Sequence, residues 1–343
     1  MGVNLSKLVE KEEITLDYLK NKKVGIDSYN MLYQFLASIR GQDGLPLADS
    51  HGNITSHITG LFYRTLNLLE KGVKPTYVFD GIPSELKKET LRKRREVRTD
   101  AEQKASEALQ AGKMEDAKKY GSRALKLTKD MVDEAKEFLR LLGVPIVEAP
   151  QEGEAQASVM VSKGQLDGVV SQDFDALLFG APHLYRHIGF SGKRKVAGKN
   201  FYTEIKPEHL ELEKILGQLK IDRQKLIWLG ILVGTDFNEK FPKIGPKTAI
   251  KLVQEFNSFE EIIEKTSHVP DFDYKEIEEI FMNPVSVDVP DKQLEPTNPD
   301  KEKLLEFLVE KHDFSSERVE NTLNKYLKQK EEKEKQKGLS DWF

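Results

Sequence analysis

Short β-rich runs alternate with helical patterns over the first half of this chain, and this order constrains the fold more than any other feature. Amphipathic helical patterns separate the runs, among them the one that ends at Gly72 and the one that ends at Gly143. The runs are Lys22–Asp27, Pro75–Phe79, Val144–Val147 and Gly168–Ser171. Alternation of this kind is typical of a parallel sheet with helices on both faces. We therefore predict an α/β fold with a mainly parallel, twisted sheet, followed after Leu210 by a mostly helical region.

Each of the four β-rich runs ends at or near an acidic residue. In chain order these residues are Asp27, Asp80, Glu152 and Asp173, with Glu154 and Asp175 two positions after the last two of them. Any one of them alone is better explained as a helix N-cap or as a first-turn acid that favours the helix dipole. Four strand ends together favour a functional crevice, because ligands of open α/β sheets bind at the carboxyl ends of the strands.

Six carboxylates in one crevice repel each other and raise each other's pKa values, so cations are needed to neutralise them. The chain has no cysteine and only seven histidines against 57 Asp and Glu, so oxygen atoms are the expected metal ligands. Oxygen ligands suit Mg²⁺ or Mn²⁺. Two such ions about 3.5–4 Å apart form the usual site for in-line phosphodiester cleavage. The pattern therefore predicts a two-metal phosphodiesterase.

A basic segment follows the second acidic residue. The net charge of the chain is −4, but residues 86–129 carry 14 Lys and Arg against 7 Asp and Glu. Local positive charge on a mildly negative protein is the electrostatic signature of phosphate contact. Taken alone, the segment reads equally well as a solvated helical surface. Its helical composition and weak apolar periodicity predict a helical protrusion or a mobile lid rather than core.

Seven segments spread over essentially the whole chain are, in order, MGVNLSKLV, VGIDSYNMLYQF, FYRTLNLLEKGVKPTYVFDGIP, EAPQEGEAQAS, SQDFDALLFG, GILVGTDFN and IGPKTA. They resemble, in the same order, segments of the flap endonuclease family in its archaeal form, which belongs to the PIN-like 5′ nucleases. The resemblance implies cleavage of 5′ flap DNA at or near the single-strand/duplex junction in replication (Okazaki fragment maturation) and repair, with 5′–3′ exonuclease activity. It assigns the metal site to the six carboxylates and adds Asp236, which the strand argument does not reach.

The resemblance also implies DNA-contacting residues. Lys87 and Arg94 match a pair in the family's helical gateway that approaches the scissile phosphate, and their spacing of seven puts them on one helix face. Tyr33 matches an aromatic residue that stacks on a base. The loop from Gly234 to Gly245, with Lys247 after it, resembles the family's helix–two-turn–helix, which holds a duplex phosphate and a monovalent cation such as K⁺. Further DNA-binding candidates are Arg40 and Arg64.

The C-terminal residues fit the box that binds the sliding clamp (PCNA), with three apolar anchors in a polar run. The box residues are Gln336, Leu339, Trp342 and Phe343. A disordered tail with this spacing can fold into one hydrophobic pocket of a partner. The other reading is a frayed terminus, which does not account for a Trp and a Phe in the most polar part of the chain.

The resemblance gives the expected domain organisation. We expect one nuclease domain over residues 1–327 and a flexible tail over 328–343. Within the domain, an N-terminal region (1–98) carries the gateway and arch (85–130). An internal region (122–258) contains the helix–two-turn–helix (222–256), and a helical region (259–327) follows.

The expected protein is a soluble intracellular monomer. No apolar run approaches the roughly 18 residues of a membrane span, and the N-terminus lacks a signal-peptide pattern. Two alternatives remain: another repair or junction nuclease of the same superfamily, and a catalytically inactive, clamp-tethered DNA-binding subunit. The short arch, the compact length and the clamp box disfavour the first, and seven intact carboxylates disfavour the second.

Overall fold

The central sheet is built from the buried β-rich runs. The computed structural model describes residue 3 and residues 5–41, 45–189, 192–195 and 202–340. Its strands are β1 (Glu12–Glu13), β2 (Lys23–Asp27), β3 (Lys74–Phe79), β4 (Ile146–Glu148), β5 (Gly168–Val170), β6 (His183–Arg186), β7 (Gly192–Lys195), β8 (Tyr202–Ile205) and β9 (Glu208–Glu211). One sheet has the order β1-β9-β6-β5-β2-β3-β4, and β7 pairs with β8 in a separate antiparallel ribbon.

Strands β6, β5, β2, β3 and β4 are neighbours in that order, and each pairs in parallel with the next. This confirms the predicted mainly parallel sheet. At the other edge β9 pairs antiparallel with β6, and β1 pairs antiparallel with β9. Sequence patterns did not predict β1 or β9. Both are short and rich in Glu, which is depleted in strands, so the pairing partner rather than local propensity makes them extended.

Helices cover both faces of the sheet. The helices in the described part of the chain are α1 (Ser28–Ser38), α2 (Ser56–Glu70), α3 (Lys87–Gln110), α4 (Met114–Ala124), α5 (Lys129–Leu141), α6 (Gly153–Ser162), α7 (Asp175–Leu178), α8 (Leu212–Leu219), α9 (Arg223–Val233), α10 (Pro246–Glu255), α11 (Phe259–Thr266), α12 (Tyr274–Met282), α13 (Lys301–Leu305) and α14 (Ser316–Ser340). A π-helical turn, Glu306–Glu310, follows α13. None of the helices in the described residues has the length and apolar character to cross a membrane.

Two hydrophobic cores lie on opposite faces of the sheet, and β3 shows how the sequence divides between them. Tyr77 and Phe79 pack in the core with α1, α2 and α5, whereas Val78 packs in the core with α6, α7 and α9. Successive strand residues point to opposite faces, so a strand buried on both sides is a continuous apolar run.

The basic segment forms two helices, α3 and α4, that pack on each other outside both cores. Ala101 and Ala108 are buried in α3, while most of its other residues are exposed or half-buried. This agrees with the expected helical protrusion. The predicted helix–loop–helix is present as α9 and α10, which contact each other across residues 234–245.

The C-terminal end differs from the expectation. The sequence predicts a flexible tail from Lys328, but α14 continues through Ser340, so the backbone of residues 328–340 is helical. Lys, Glu and Gln have high helix propensity, and opposite charges four residues apart add to the stability of a helix. The side chains of Gln336 and Leu339, and Trp342 and Phe343 entirely, lie outside the described residues.

Candidate active site

Four of the seven acidic residues lie at the carboxyl ends of four neighbouring strands. β5, β2, β3 and β4 are adjacent in the sheet. Asp27 is the last residue of β2, Asp80 follows β3, and the loops after β4 and β5 carry Glu152 and Asp173. Because the four strands are parallel, all four residues lie at one edge of the sheet.

Glu152 and Glu154 are placed by the start of α6. Glu152 is the N-cap residue and Glu154 lies in the first turn, with Gly153 between them. The Gly153 amide donates a 2.7 Å hydrogen bond to Oδ1 of Asp80. A Cβ on Gly153 would lie 2.9 Å from that Oδ1 and 3.1 Å from the Val78 carbonyl oxygen, so a glycine is what allows this approach.

Asp173 lies on the loop between β5 and α7, and Asp175 lies at the end of that loop, where α7 begins. Asn30, in the first turn of α1, connects this loop to β2: its amide donates to Oδ1 of Asp27 (3.0 Å), and its side-chain Nδ2 donates to Oδ2 of Asp173 (3.1 Å). Asp175 is the first residue of α7 and accepts a 2.7 Å hydrogen bond from the Val3 amide. Hydrogen bonds from two separate parts of the chain, Asn30 and Val3, therefore orient these carboxylates.

Asp236 reaches the same site from the turn after α9. That turn is internally hydrogen-bonded: the Thr235 hydroxyl donates to Oδ1 of Asn238 (2.7 Å) and accepts from the Phe237 amide (3.0 Å). The side-chain amide of Asn238 also donates to the Ile231 carbonyl of α9 (2.8 Å). The turn is thus fixed to its helix, and Asp236 is fixed with it.

Two of the carboxyl groups at this edge, those of Asp80 and Asp175, are difficult to ionise. Burial, and next the charge of Glu152, raises the pKa of Asp80 to about 6. Burial, and next the charge of Asp236, raises the pKa of Asp175 to about 7. Full ionisation near neutral pH therefore costs free energy unless cations compensate the charge.

Two cations of α3 approach these carboxylates. Lys87 Nζ forms an ion pair with Oε2 of Glu152 and lies 3.5 Å from Oδ2 of Asp236, and Arg94 Nη2 pairs with Oδ1 of Asp236. Although burial favours the neutral amine, Glu152 and Asp236 raise the pKa of Lys87. Although burial also opposes ionisation of Asp236, Lys87 and Arg94 contribute to lowering its pKa. Helix α3 is therefore in direct electrostatic contact with the acidic cluster.

The chemistry of the cluster fits divalent metal ions. Oε1 of Glu154 is buried and has no hydrogen-bond partner among the described residues, and burial, followed by the charge of Asp27, raises the pKa of Glu154 well above its usual range. A metal ion would satisfy this oxygen, and a set of carboxylate oxygens suits Mg²⁺ or Mn²⁺. Within the described ranges no three acidic or histidine side chains already form a metal-binding group. Lys87 and Arg94 instead hold two of the carboxylates in ion pairs.

All seven carboxylates line one cleft of about 2370 Å³. Lys87, Arg94, Tyr33, Arg64, Gly234 and Gly245 also line it. Tyr33 is half-buried, and the guanidinium carbon of Arg98 lies 5.3 Å from its ring centre.

Two of the predicted DNA-binding residues are not part of this cleft lining. Arg40 donates its Nε to the Ala37 carbonyl (3.2 Å) at the end of α1, and Lys247 is exposed in the first turn of α10. The structure thus brings the catalytic candidates together and leaves these two basic residues outside the group.

Sequence reasoning missed Asn30, Ser171 and Arg186. Ser171 Oγ accepts from the Asp173 amide (3.2 Å) and lies 3.5 Å from Oδ2 of Asp27. Arg186 is a buried arginine at the end of β6. A charged residue directly after the apolar residues Leu184 and Tyr185 was the available signal for Arg186. Asn30 and Ser171 carry no comparable signal, because polar residues beside strand ends are ordinary caps and turns.

The fold and the site together define a class of nuclease. A family profile described as XPG N-terminal domain matches residues 1–101, and one described as XPG I-region matches residues 143–236. The second range contains five of the seven carboxylates, and the first contains the other two. A parallel sheet with clustered carboxylates at one edge, below a basic helix, is the arrangement of a structure-specific nuclease of this type.

Comparison with individual proteins narrows the class. The chain is 48% identical to flap endonuclease 1 of Thermococcus onnurineus over 100% of this chain and 99% of that protein. The structure of flap endonuclease-1 from Methanococcus jannaschii matches with a TM-score of 0.76 and 40% identity, covering 97% of this chain and 100% of that one. The catalytic core of Rad2 in complex with DNA substrate matches with a TM-score of 0.67 and 27% identity, covering 92% and 96%. The chain belongs to the flap endonuclease 1 family, whose members are structure-specific 5′ nucleases with metal-dependent catalysis.

Proposed function

We propose that this protein cleaves 5′ flap DNA at or near the junction of single strand and duplex through two divalent metal ions held by the seven carboxylates. Membership of the flap endonuclease 1 family supports this activity in DNA replication and repair, together with 5′–3′ exonuclease action at the same site. The observation that carries the residue assignment is the convergence of the carboxylates in one cleft beneath the cations of α3.

The carboxylates hold the metals, and the residues around them fix the carboxylates. The metal ligands we propose are Asp27, Asp80, Glu152, Glu154, Asp173, Asp175 and Asp236. When bound, divalent ions activate the attacking water and stabilise charge on the scissile phosphate and the leaving oxygen. Mg²⁺ is the proposed ion, and Mn²⁺ can replace it because both prefer oxygen ligands.

Lys87 and Arg94 act on the phosphate from the arch. Both side chains already point at the acidic cluster, where they pair with carboxylates. A scissile phosphate in the cleft offers them a second anionic partner, so they are placed to orient it and to stabilise the charge that develops on it in the transition state. A positive helix above the site also attracts the DNA backbone.

The remaining DNA contacts surround this centre. The Rad2 core was solved with DNA substrate, and because the two folds are similar we propose DNA as the substrate of this chain as well. We propose that Tyr33 stacks on a base beside the cleaved bond and that Arg40 and Arg64 contact the backbone. A Cβ at Gly245 would meet nothing within 4 Å, so the backbone at the start of α10 is open to a phosphate. Lys247 adds charge there, and loop carbonyls of residues 234–245 are the proposed K⁺ ligands.

We also propose that the protein acts as a monomer tethered to the sliding clamp (PCNA) through its C-terminal residues. The sequence Gln336, Leu339, Trp342, Phe343 supplies the spacing of the clamp box. The backbone is helical through Ser340, which supports a binding mode in which this part of the box is already folded before it meets the clamp.

The test is cleavage of a labelled double-flap DNA with Mg²⁺, comparing the wild type with Asp173→Ala. We expect cutting near the junction by the wild type and a loss of at least about 10²-fold in the variant, since a metal ligand is removed. Binding without Mg²⁺-dependent cutting would refute the catalytic proposal. Equal cutting of flaps and four-way junctions would refute the preference for flaps.

A further inference from the structure

Arg186 is a buried cation that none of the proposed metal-binding or DNA-binding roles uses. It is the last residue of β6 and is 8% exposed. A buried guanidinium is tolerated only when its donors have partners, because desolvation of the charge is costly. Its partners therefore indicate what the residue does.

Two of these partners flank Asp173. Nε of Arg186 donates to the Gln172 carbonyl oxygen (3.1 Å), and the guanidinium carbon lies 4.4 Å from the ring centre of Phe174. Gln172 and Phe174 are the residues immediately before and after Asp173. One side chain thus contacts the loop between β5 and α7 on both sides of a proposed metal ligand.

The other partner fixes the orientation of the guanidinium. Nη1 of Arg186 donates to Oε2 of Glu208 (3.1 Å), and the two residues are direct cross-strand partners in β6 and β9. The donors of arginine lie in one rigid plane, so bonding to Glu208 determines the direction in which Nε points. The antiparallel edge of the sheet is therefore connected through one planar group to the metal-site loop.

We propose that Arg186 is a positioning residue that holds the Gln172–Asp175 loop in the geometry needed for divalent metal binding. In this role it acts through the Gln172 carbonyl and the Phe174 ring, and it is not itself one of the proposed metal ligands. The proposal rests on the proposed metal role of Asp173 and Asp175. It also gives β9, which sequence patterns did not predict, a functional consequence.

The experiment uses the full chain with Arg186→Met, which keeps an unbranched apolar stem and removes the planar donors. Mn²⁺ binding is measured by titration calorimetry without DNA. Single-turnover cleavage of a double-flap DNA and DNA affinity in Ca²⁺ are measured in parallel. Loss of partners that orient metal ligands typically lowers metal affinity or activity 10–100-fold. We expect Mn²⁺ affinity to fall about tenfold and the cleavage rate 10–100-fold, with DNA affinity unchanged within about twofold.

Arg186→Lys separates positioning from stability. Lysine keeps the positive charge opposite Glu208 but lacks the planar fork that also reaches Gln172. We expect this variant to recover most of the thermal stability lost in Arg186→Met and little of the Mn²⁺ affinity. Recovery of both in parallel would overturn the proposal, because charge and packing alone would then explain the residue.

Arg223 provides a matched control. It is half-buried and donates to the backbone carbonyls of Leu178 (3.2 Å) and Phe281 (2.6 Å), at the end of α7 remote from Asp173. Arg223→Met is expected to lower the melting temperature and to leave Mn²⁺ affinity unchanged. Equal loss of Mn²⁺ affinity in both methionine variants, or wild-type affinity in Arg186→Met, would refute the positioning role. Failure of the wild type to bind Mn²⁺ would instead refute the metal role itself, and the proposal with it.

Discussion

Adding one methyl group at Gly153 should reduce catalysis with little change in stability. Gly153 lies between Glu152 and Glu154 at the start of α6, and its amide donates to Oδ1 of Asp80 over 2.7 Å. In Gly153→Ala the new Cβ would lie 2.9 Å from that oxygen and 3.1 Å from the Val78 carbonyl oxygen. The Val78 carbonyl belongs to β3 and cannot move far, so the Asp80 carboxylate must give way.

The structure sets the size of both effects. To reach an ordinary contact of 3.4 Å, Oδ1 of Asp80 must retreat by about 0.5 Å, which weakens its bond to the Gly153 amide. Loss of that bond costs about 0.5–1.5 kcal/mol, whereas alanine gains up to about 1 kcal/mol over glycine in a helix. These terms nearly cancel in the free energy of unfolding. Displacement of a catalytic group by about 1 Å can reduce a rate about 10²-fold, so a shift of half that size predicts a loss of about 10-fold to 10²-fold.

The assay is single-turnover cleavage of a labelled double-flap DNA in Mg²⁺, with thermal unfolding measured on the same samples. We expect the rate loss with a change in melting temperature below about 4 °C. Gly217→Ala is the control: a Cβ there meets nothing within 4 Å in α8, so the rate should be unchanged. A wild-type rate in Gly153→Ala would refute the reasoning. A rate loss matched by a large fall in melting temperature would refute it as well.

Three further predictions follow from the charges and from the tail. Lys87→Met removes the partner of Glu152 and a proposed phosphate contact, and we expect the single-turnover rate to fall about 10²–10³-fold; a loss confined to DNA affinity would contradict the role in the chemical step. The pKa values of Asp80 (about 6) and Asp175 (about 7) are raised, so these carboxyl groups bind protons more tightly in the folded protein than in the unfolded chain. The two groups therefore favour folding at low pH, and this contribution to stability is lost as the pH rises from about 4 to about 7. Mg²⁺ should therefore raise the melting temperature more at pH 8 than at pH 5, and an equal increase at both would show that these carboxyls are not metal ligands. Deletion of residues 336–343 should abolish stimulation by the sliding clamp and leave basal cleavage unchanged, and a loss of basal activity would assign the tail another role.

The strand-end carboxylates were predictable because they depend on short-range patterns. A β-rich run, an acidic residue at its end and a helix after it are readable within about ten residues, and Asp27 and Asp80 lie where this pattern puts them. Glu154 and Asp175 followed from a spacing of two. The carboxylates meet only if the strands are also parallel neighbours in the sheet. The alternation of strands with helices indicates that they are.

Asp236 shows where that reasoning stops. It lies 142 residues after Arg94, with which it pairs, and no periodicity connects the two. Only the resemblance to the family assigned it to the site. Its place depends on the hydrogen-bonded turn after α9 and on the packing of α9 against α7, which are long-range contacts.

What the sequence by itself determined is the alternation of strands and helices, the acidic strand ends, the basic helical segment and the family. These depend on periodicity, capping and composition, which act between residues close in the chain. Tertiary structure alone decided the strand order, the antiparallel edge of β9 and β1, the ion pairs of Lys87 and Arg94 with the carboxylates, and the contacts of Arg186 around Asp173. Each of these joins residues distant in the chain, and their meeting is determined by how the two cores pack on the sheet, which local patterns do not encode.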